Sequence, residues 1–178
     1  MAVIGAGQAG RSFAMACAAA GFYVALEDVM PANLRKAEVE YSDLSLRGGF
    51  GELQLASTVE DAVREADIAI DFVPDELESK LEIFSMIDRM APPKTIICTP
   101  SEAQSITDLA SCVYRPERCL ALRGRIAAGT QLRILYPPPV SQETIAIAAA
   151  FFTRLGIDPR PEADPDAPML IKNQTLMH

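Results

Sequence analysis

The chain has a single histidine, and it is the last residue, His178. Imidazole is the side chain whose ordinary pKa lies near neutrality, and a terminal residue is seldom held in place. Acid–base catalysis by a histidine in the body of the fold is therefore excluded. Positive charge is short as well: 16 Lys and Arg stand against 24 Asp and Glu, giving a net charge of −8 and a pI near 4.7. That balance argues against nucleic acid or a polyanionic surface as main partner, although backbone dipoles can still bind an anionic cofactor locally. No apolar run reaches the length of a membrane span, and the opening residues read as a core strand, not as a leader. Cys17, Cys98, Cys112 and Cys119 form no C-x-x-C pair. They read as free thiols, most of them buried, in a reducing cytoplasm, with no metal site.

What the chain does have comes at once. Ala2-Val3-Ile4 runs into Gly5-Ala6-Gly7-Gln8-Ala9-Gly10, and a helical stretch from Ser12 to Ala20 follows. This is a G-x-G-x-x-G turn between strand and helix. The first glycine permits the tight turn, the second lets backbone N–H groups approach a pyrophosphate, and the third lets helix and strand pack closely. A second apolar run, Phe22 to Leu26, ends in Glu27-Asp28, and Asp28 lies 18 positions after Gly10. An acid about 20 residues beyond the glycines accepts hydrogen bonds from the adenosine ribose. A carboxylate there repels the extra phosphate of NADP, so the reading is NAD over NADP. Glu27 competes for the ribose role, and the plain alternative is a tight turn followed by a strand-end acid.

Further on, strands and helices alternate in a chain long enough for one domain with a real core. Helical spacing is predicted over Pro31 to Tyr41, Val59 to Ala66 and Leu77 to Met90, where Leu77, Leu81, Phe84 and Ile87 share a face. Ser105 is placed as the cap of a helix running to Leu109, and Ser141 as the cap of a helix over Glu143 to Leu155 that Gly156 ends. Leu53–Ser57, Ile68–Val73, Thr95–Cys98, Leu120–Leu122 and Leu132–Tyr136 read as strands, and the proline- and acid-rich Pro159 to Pro168 as extended chain. Continuous apolar strands between helices predict an α/β, Rossmann-type, doubly wound and mostly parallel sheet with helices on both faces. One dinucleotide-binding domain spans residues 1–178, with 159–178 as an extended tail.

Several segments together resemble the NAD-binding domain of the 3-hydroxyacyl-CoA dehydrogenases. They are Ala2 through Val29, Ala66-Asp67-Ile68-Ala69-Ile70-Asp71-Phe72-Val73-Pro74-Asp75 with Lys80 beyond it, Ala91-Pro92-Pro93, Ser105-Ile106-Thr107-Asp108-Leu109-Ala110, and Arg115-Pro116-Glu117-Arg118. The resemblance implies that Gly5, Gly7, Gln8, Ala9 and Gly10 cradle the pyrophosphate and that Asp28 holds the adenosine ribose. It places Asp75 and Lys80 near the nicotinamide ribose, with Val73 and Ser101 completing the cofactor set. For Lys80 the alternative is a solvated helix lysine.

The catalytic half of the family pattern is missing. The serine that touches substrate and nicotinamide is replaced by Glu102, and the general acid/base histidine by Arg123. The asparagine after that histidine becomes Ile126, and the glutamate that orients it becomes Leu135. Oxidation of a secondary alcohol needs a group to take the hydroxyl proton, and an arginine stays protonated. Asp71, Asp75, Glu102 and Tyr136 are other candidate bases. Glu102 is the one placed near substrate, its alternative being an exposed loop acid. Arg123 and Arg125, sharing a face by strand alternation, are candidates to hold an anionic substrate together with Arg133; a solvated strand end is the alternative. The stretch Glu38 to Gly51 is too short for the family's helical insertion, and Ala167 to Gln174 only echoes the boundary to its helical domain. The expectation is a protein that binds NAD(H) without the usual activity as a free monomer, with a homo-oligomer or partner protein covering the site. The alternative is an oxidoreductase with an altered site acting on a hydroxyacyl or small anionic substrate.

Overall fold

The computed structural model describes residues 1–48 and 51–166. Its core is one eight-stranded sheet in the order β3-β2-β1-β4-β5-β6-β7-β8. The strands are β1 (Ala2–Ile4), β2 (Val24–Glu27), β3 (Leu53–Ala56), β4 (Ile68–Asp71), β5 (Ile96–Pro100), β6 (Cys119–Arg123), β7 (Gln131–Tyr136) and β8 (Asp158–Ala163). Neighbours pair in parallel except β6 and β7, which are antiparallel. The chain lays β2 and β3 to one side of β1, then returns to place β4 on its other side. The sheet thus has its topological switch between β1 and β4, where ligands of such folds bind outside the carboxyl ends of the strands.

Strand alternation divides the core. Val3, Leu26, Ile70 and Cys98 face one layer, built from α1 (Gln8–Ala19), α2 (Pro31–Ser45) and α6 (Gln142–Arg154). Ala2, Ile4, Ala25, Ala69 and Ile97 face the other, built from α3 (Val59–Val63), α4 (Leu77–Met90) and α5 (Ile106–Ala110). In the first layer Phe13 of α1 meets Phe151 of α6 edge-on at 6.4 Å, with Phe72 against the former at 5.5 Å and Phe22 against the latter at 5.0 Å, so α1 and α6 share an aromatic seam. The predicted caps are present: Ser105 accepts the Asp108 N–H and Ser141 the Thr144 N–H.

Three expectations are corrected. Helix α2 runs four residues beyond Tyr41, to Ser45, because no helix breaker occurs before Gly48. On α4, Leu77 is exposed and Lys80 takes the buried place. The proline-rich segment is more than extended chain: Asp158–Ala163 is a true edge strand, parallel to β7. The backbone N–H groups of Asp158 and Asp164 donate inward to the carbonyls of Thr130 and Tyr136. By period-two alternation, Pro159 and Pro161 put their missing N–H groups on the free edge, the one side where a strand tolerates them. Among the described residues no helix is long and apolar enough to cross a membrane, and no group of three or more His, Cys, Asp or Glu could hold a metal. The four cysteines are unpaired, Cys112 being exposed and the others buried; burial pushes the Cys17 thiol up to about 12.

Candidate functional site

The glycine turn stands at the switch point because β1 is only three residues long and delivers it there. Gly7, Gln8 and Ala9 are exposed, whereas Gly10 is buried. A Cβ on Gly10 would collide with the Gly5 carbonyl oxygen, while one on Gly7 would meet no atom of the chain within 4 Å. Close packing at the third glycine and open space at the second are what a pyrophosphate cradle requires.

Asp28, just past β2, turns onto this loop. Its Oδ2 accepts the Ala6 N–H at 2.8 Å and the Asn33 amide at 3.1 Å, and its Oδ1 accepts the Met30 N–H at 2.7 Å. Glu27 is buried beside it, and burial first, then the charge of Asp28, pushes its carboxyl up. Asp28 holds the Ala6 N–H, while Glu27 meets the first glycine, whose backbone N–H draws its carboxyl back down against those two effects.

The loop after β4 carries the next group. Phe72 and Val73 are half-buried. Asp75 is exposed, but its carboxylate is bound by the loop after β5: Oδ1 accepts the Ser101 hydroxyl at 2.6 Å, and Oδ2 accepts the N–H groups of Glu102 at 2.9 Å and Ala103 at 3.1 Å. Lys80 is not a solvated lysine. Only 1% exposed, it places Nζ 2.8 Å from Oδ1 of Asp71 at the end of β4. Burial pushes the Asp71 carboxyl up, and the lysine's charge opposes that. The buried Thr99 hydroxyl, which follows Cys98 on the neighbouring strand, and the Val73 N–H also face the Asp71 carboxyl and oppose its rise.

On the substrate side the predicted residues bind one another. Arg123 donates from Nε to the Ser101 carbonyl and from Nη2 to the Gln104 carbonyl, both at 3.2 Å, and pairs with Asp166 at 2.9 Å. Glu102 Oε1 accepts the Gly124 N–H at 2.7 Å. The shared face expected for Arg123 and Arg125 is absent, because β6 ends at Arg123 and Gly124, with φ +114°, turns the chain. The true cross-strand partner of Arg123 is Arg133, which pairs with Glu162. Tyr136 is carried away from the crevice: β7 runs against β6, so Arg133 sits opposite Arg123 while Tyr136 lies beyond Leu135, toward the start of β6. Asp71 is sealed beneath α4. His178 and the stretch Ala167 to Gln174 lie outside the described residues.

Four residues that shape the site escape sequence reasoning. Arg11 donates to the Ala6 carbonyl, and Asn33 donates to Asp28. Asp164 takes the Thr107 N–H and the hydroxyls of Ser105 and Thr107 at the start of α5, and Asp166 meets Arg123. Burial would raise the Asp164 carboxyl, but these bonds and the Asp166 N–H outweigh it and hold it below the usual carboxylate range. For Arg11 a signal exists in the sequence: it is a cation in the first turn of a helix, where an anion is preferred. For Asp164 and Asp166 none does, since their partners are 57 and 43 residues away.

Comparison with known proteins gives the family. The family described as 3-hydroxyacyl-CoA dehydrogenase, NAD binding domain, matches residues 1–123. A probable 3-hydroxybutyryl-CoA dehydrogenase of Bacillus subtilis is 30% identical over an alignment of 133 residues that covers 67% of this chain and 46% of that protein. A lambda-crystallin homolog of Bos taurus is 34% identical over 135 residues, 67% of this chain and 42% of that protein. The matched part is thus less than half the length of either relative. A solved diketoreductase structure superposes with a TM-score of 0.81 at 22% identity, covering 99% of this chain and 68% of that one, a likeness of fold.

Proposed function

The chain belongs to the family of 3-hydroxyacyl-CoA dehydrogenase NAD-binding domains, and from that premise we propose that it binds NAD(H) in preference to NADP(H) and does not perform the family's histidine-based alcohol oxidation by itself. Gly5, Gly7, Gln8, Ala9 and Gly10 hold the pyrophosphate in this reading, and Asp28 the adenosine ribose. The Asp28 carboxylate, fixed against the glycine turn, supports the preference by repelling a 2′-phosphate. Val73, Asp75 and Ser101 border the nicotinamide end. Lys80 acts on that end only through the loop it stabilises, since its head is buried on Asp71.

The observation that carries the loss of chemistry is the state of the substrate side. Arg123 stands where the resemblance puts the general base, cannot accept a proton, and is spent on two backbone carbonyls and Asp166. Of the other candidate bases on this side, Asp75 accepts three donors from the loop after β5, and Glu102 gives one of its two oxygens to the Gly124 N–H. The same hydrogen bonds argue against Arg123 as a substrate anchor, which leaves Arg125 at the turn. The test is to mix the chain with NADH and acetoacetyl-CoA, then with small keto acids. No oxidation of NADH is expected, whereas turnover abolished by Glu102→Gln would establish an altered but working oxidoreductase. Self-association belongs to the same proposal, because Val29, Met30, Val39 and Leu46 leave apolar side chains exposed on and beside α2. Light scattering checks it, and a monodisperse monomer would contradict it.

A further inference from the structure

Arg11 is a cation directly against the glycine turn, and the reading above gives it no task. It follows the third glycine, in the first turn of α1, where the helix dipole disfavours a positive charge. Something must hold it there, and the structure shows what does. Its side chain is 13% exposed. Nη1 donates to the Ala6 carbonyl at 2.8 Å, and Nε donates to Oε1 of Glu40 on α2 at 3.0 Å. The Ala6 N–H is held in turn by Asp28 Oδ2 at 2.8 Å. Ala6 is itself buried between the first two glycines of the turn.

Both peptide groups flanking Ala6 are therefore fixed, one by an acid and one by a guanidinium. Glycines on either side would otherwise leave this stretch the freest of the loop. With the Ala6 carbonyl pulled toward Arg11, the turn cannot flip, and the N–H groups that follow it stay in one orientation. The planar guanidinium is suited to the task, since it serves a carbonyl and a carboxylate at once along two fixed directions. Glu40 keeps the fork from swinging into solvent and ties the turn to α2, the helix that Asp28 precedes.

We propose that the contact chain Glu40–Arg11–Ala6–Asp28 sets the turn in its binding conformation, and that Arg11 is a positioning residue for the pyrophosphate of the dinucleotide. The proposal rests on the dinucleotide reading above. It extends that reading by making one device responsible for both the pyrophosphate loop and the ribose acid, since the two are joined through a single residue.

The test measures binding of NADH and of ADP-ribose, by calorimetry, to the whole chain and to Arg11→Met, Arg11→Lys and Glu40→Gln, with melting temperatures in parallel. Arg11→Met keeps the apolar stem and loses both donors, and it should weaken both ligands by roughly tenfold, the effect of removing one charge-assisted hydrogen bond. Arg11→Lys should recover little, because one ammonium cannot reproduce the fork. Glu40→Gln keeps the acceptor oxygen but loses the charge, and should weaken both ligands by only about twofold. A merely structural Arg11 would lower the melting temperature and leave both affinities unchanged, and that result overturns the proposal; so does full recovery by lysine. If Arg11→Met does not fold, Arg11→Lys against Glu40→Gln still decides it, because equal affinities in those two would contradict the fork. An unaltered chain that binds neither ligand defeats the dinucleotide reading itself, and the proposal falls with it.

Discussion

Lys80 Nζ lies 2.8 Å from Asp71 Oδ1, and neither side chain is reached by solvent. A pair this deep is costly to desolvate and more costly to break, because removing one partner strands the other charge. Lys80→Met should therefore destabilise the chain by roughly 3–5 kcal/mol, while Lys80→Met combined with Asp71→Leu should regain most of that loss. Urea unfolding of the single and double variants checks this. Equal destabilisation in both would mean that the pair is held for something other than mutual neutralisation.

The loop after β5 is fastened by one carboxylate from the loop after β4. Asp75 receives three donors from Ser101, Glu102 and Ala103. Asp75→Ala should speed amide hydrogen exchange at Glu102 and Ala103 and cost about 1–2 kcal/mol. Exchange is the sharper readout, because it reports on this loop alone. Unchanged rates at those two amides would show that Asp75 does not hold the loop in solution.

Asp164 links stability to pH. Its carboxyl is held below the ordinary value by hydrogen bonds from the start of α5. A depressed pKa contributes stability that is fully present above the unfolded value of about 3.9 and is lost as pH falls through the folded one. Asp164→Asn should thus cost about 1 kcal/mol at neutral pH, as capping losses do. The gap between variant and parent should close as the pH is taken below about 4. Denaturation curves at several pH values test the sign; a gap that widens toward acid would contradict it.

Much of this was legible in the chain itself, and the reasons for the rest are physical. Periodicity and caps located the elements, and the turn from Gly5 to Gly10 with Asp28 located the crevice, because those signals are local. Strand β8 was read only as extended chain, since proline argues against a strand unless its missing N–H faces an edge. Lys80 was placed near the nicotinamide ribose with a solvated lysine as the alternative, and its burial went unread because a buried lysine depends on an acid from another element, here Asp71 on β4. A hint existed: Asp71 sits in an otherwise apolar run and needs a counter-charge. Arg123 and Arg125 were put on one face by alternation, which holds only while the strand continues, and Gly124 ends it. Asp164 and Asp166 reach partners through the folded chain, and no local pattern announces such contacts.

The central claim is that the turn at Gly5–Gly10 and the acid at Asp28 bind NAD(H) selectively. Its most direct test is calorimetric titration of the purified chain with NADH and with NADPH under the same conditions. Saturable binding of NADH, with NADPH at least tenfold weaker (about 1.4 kcal/mol), is the result expected. Equal binding of the two would remove Asp28 as the selecting group. Binding of neither would mean that the family's fold persists in this chain without its cofactor.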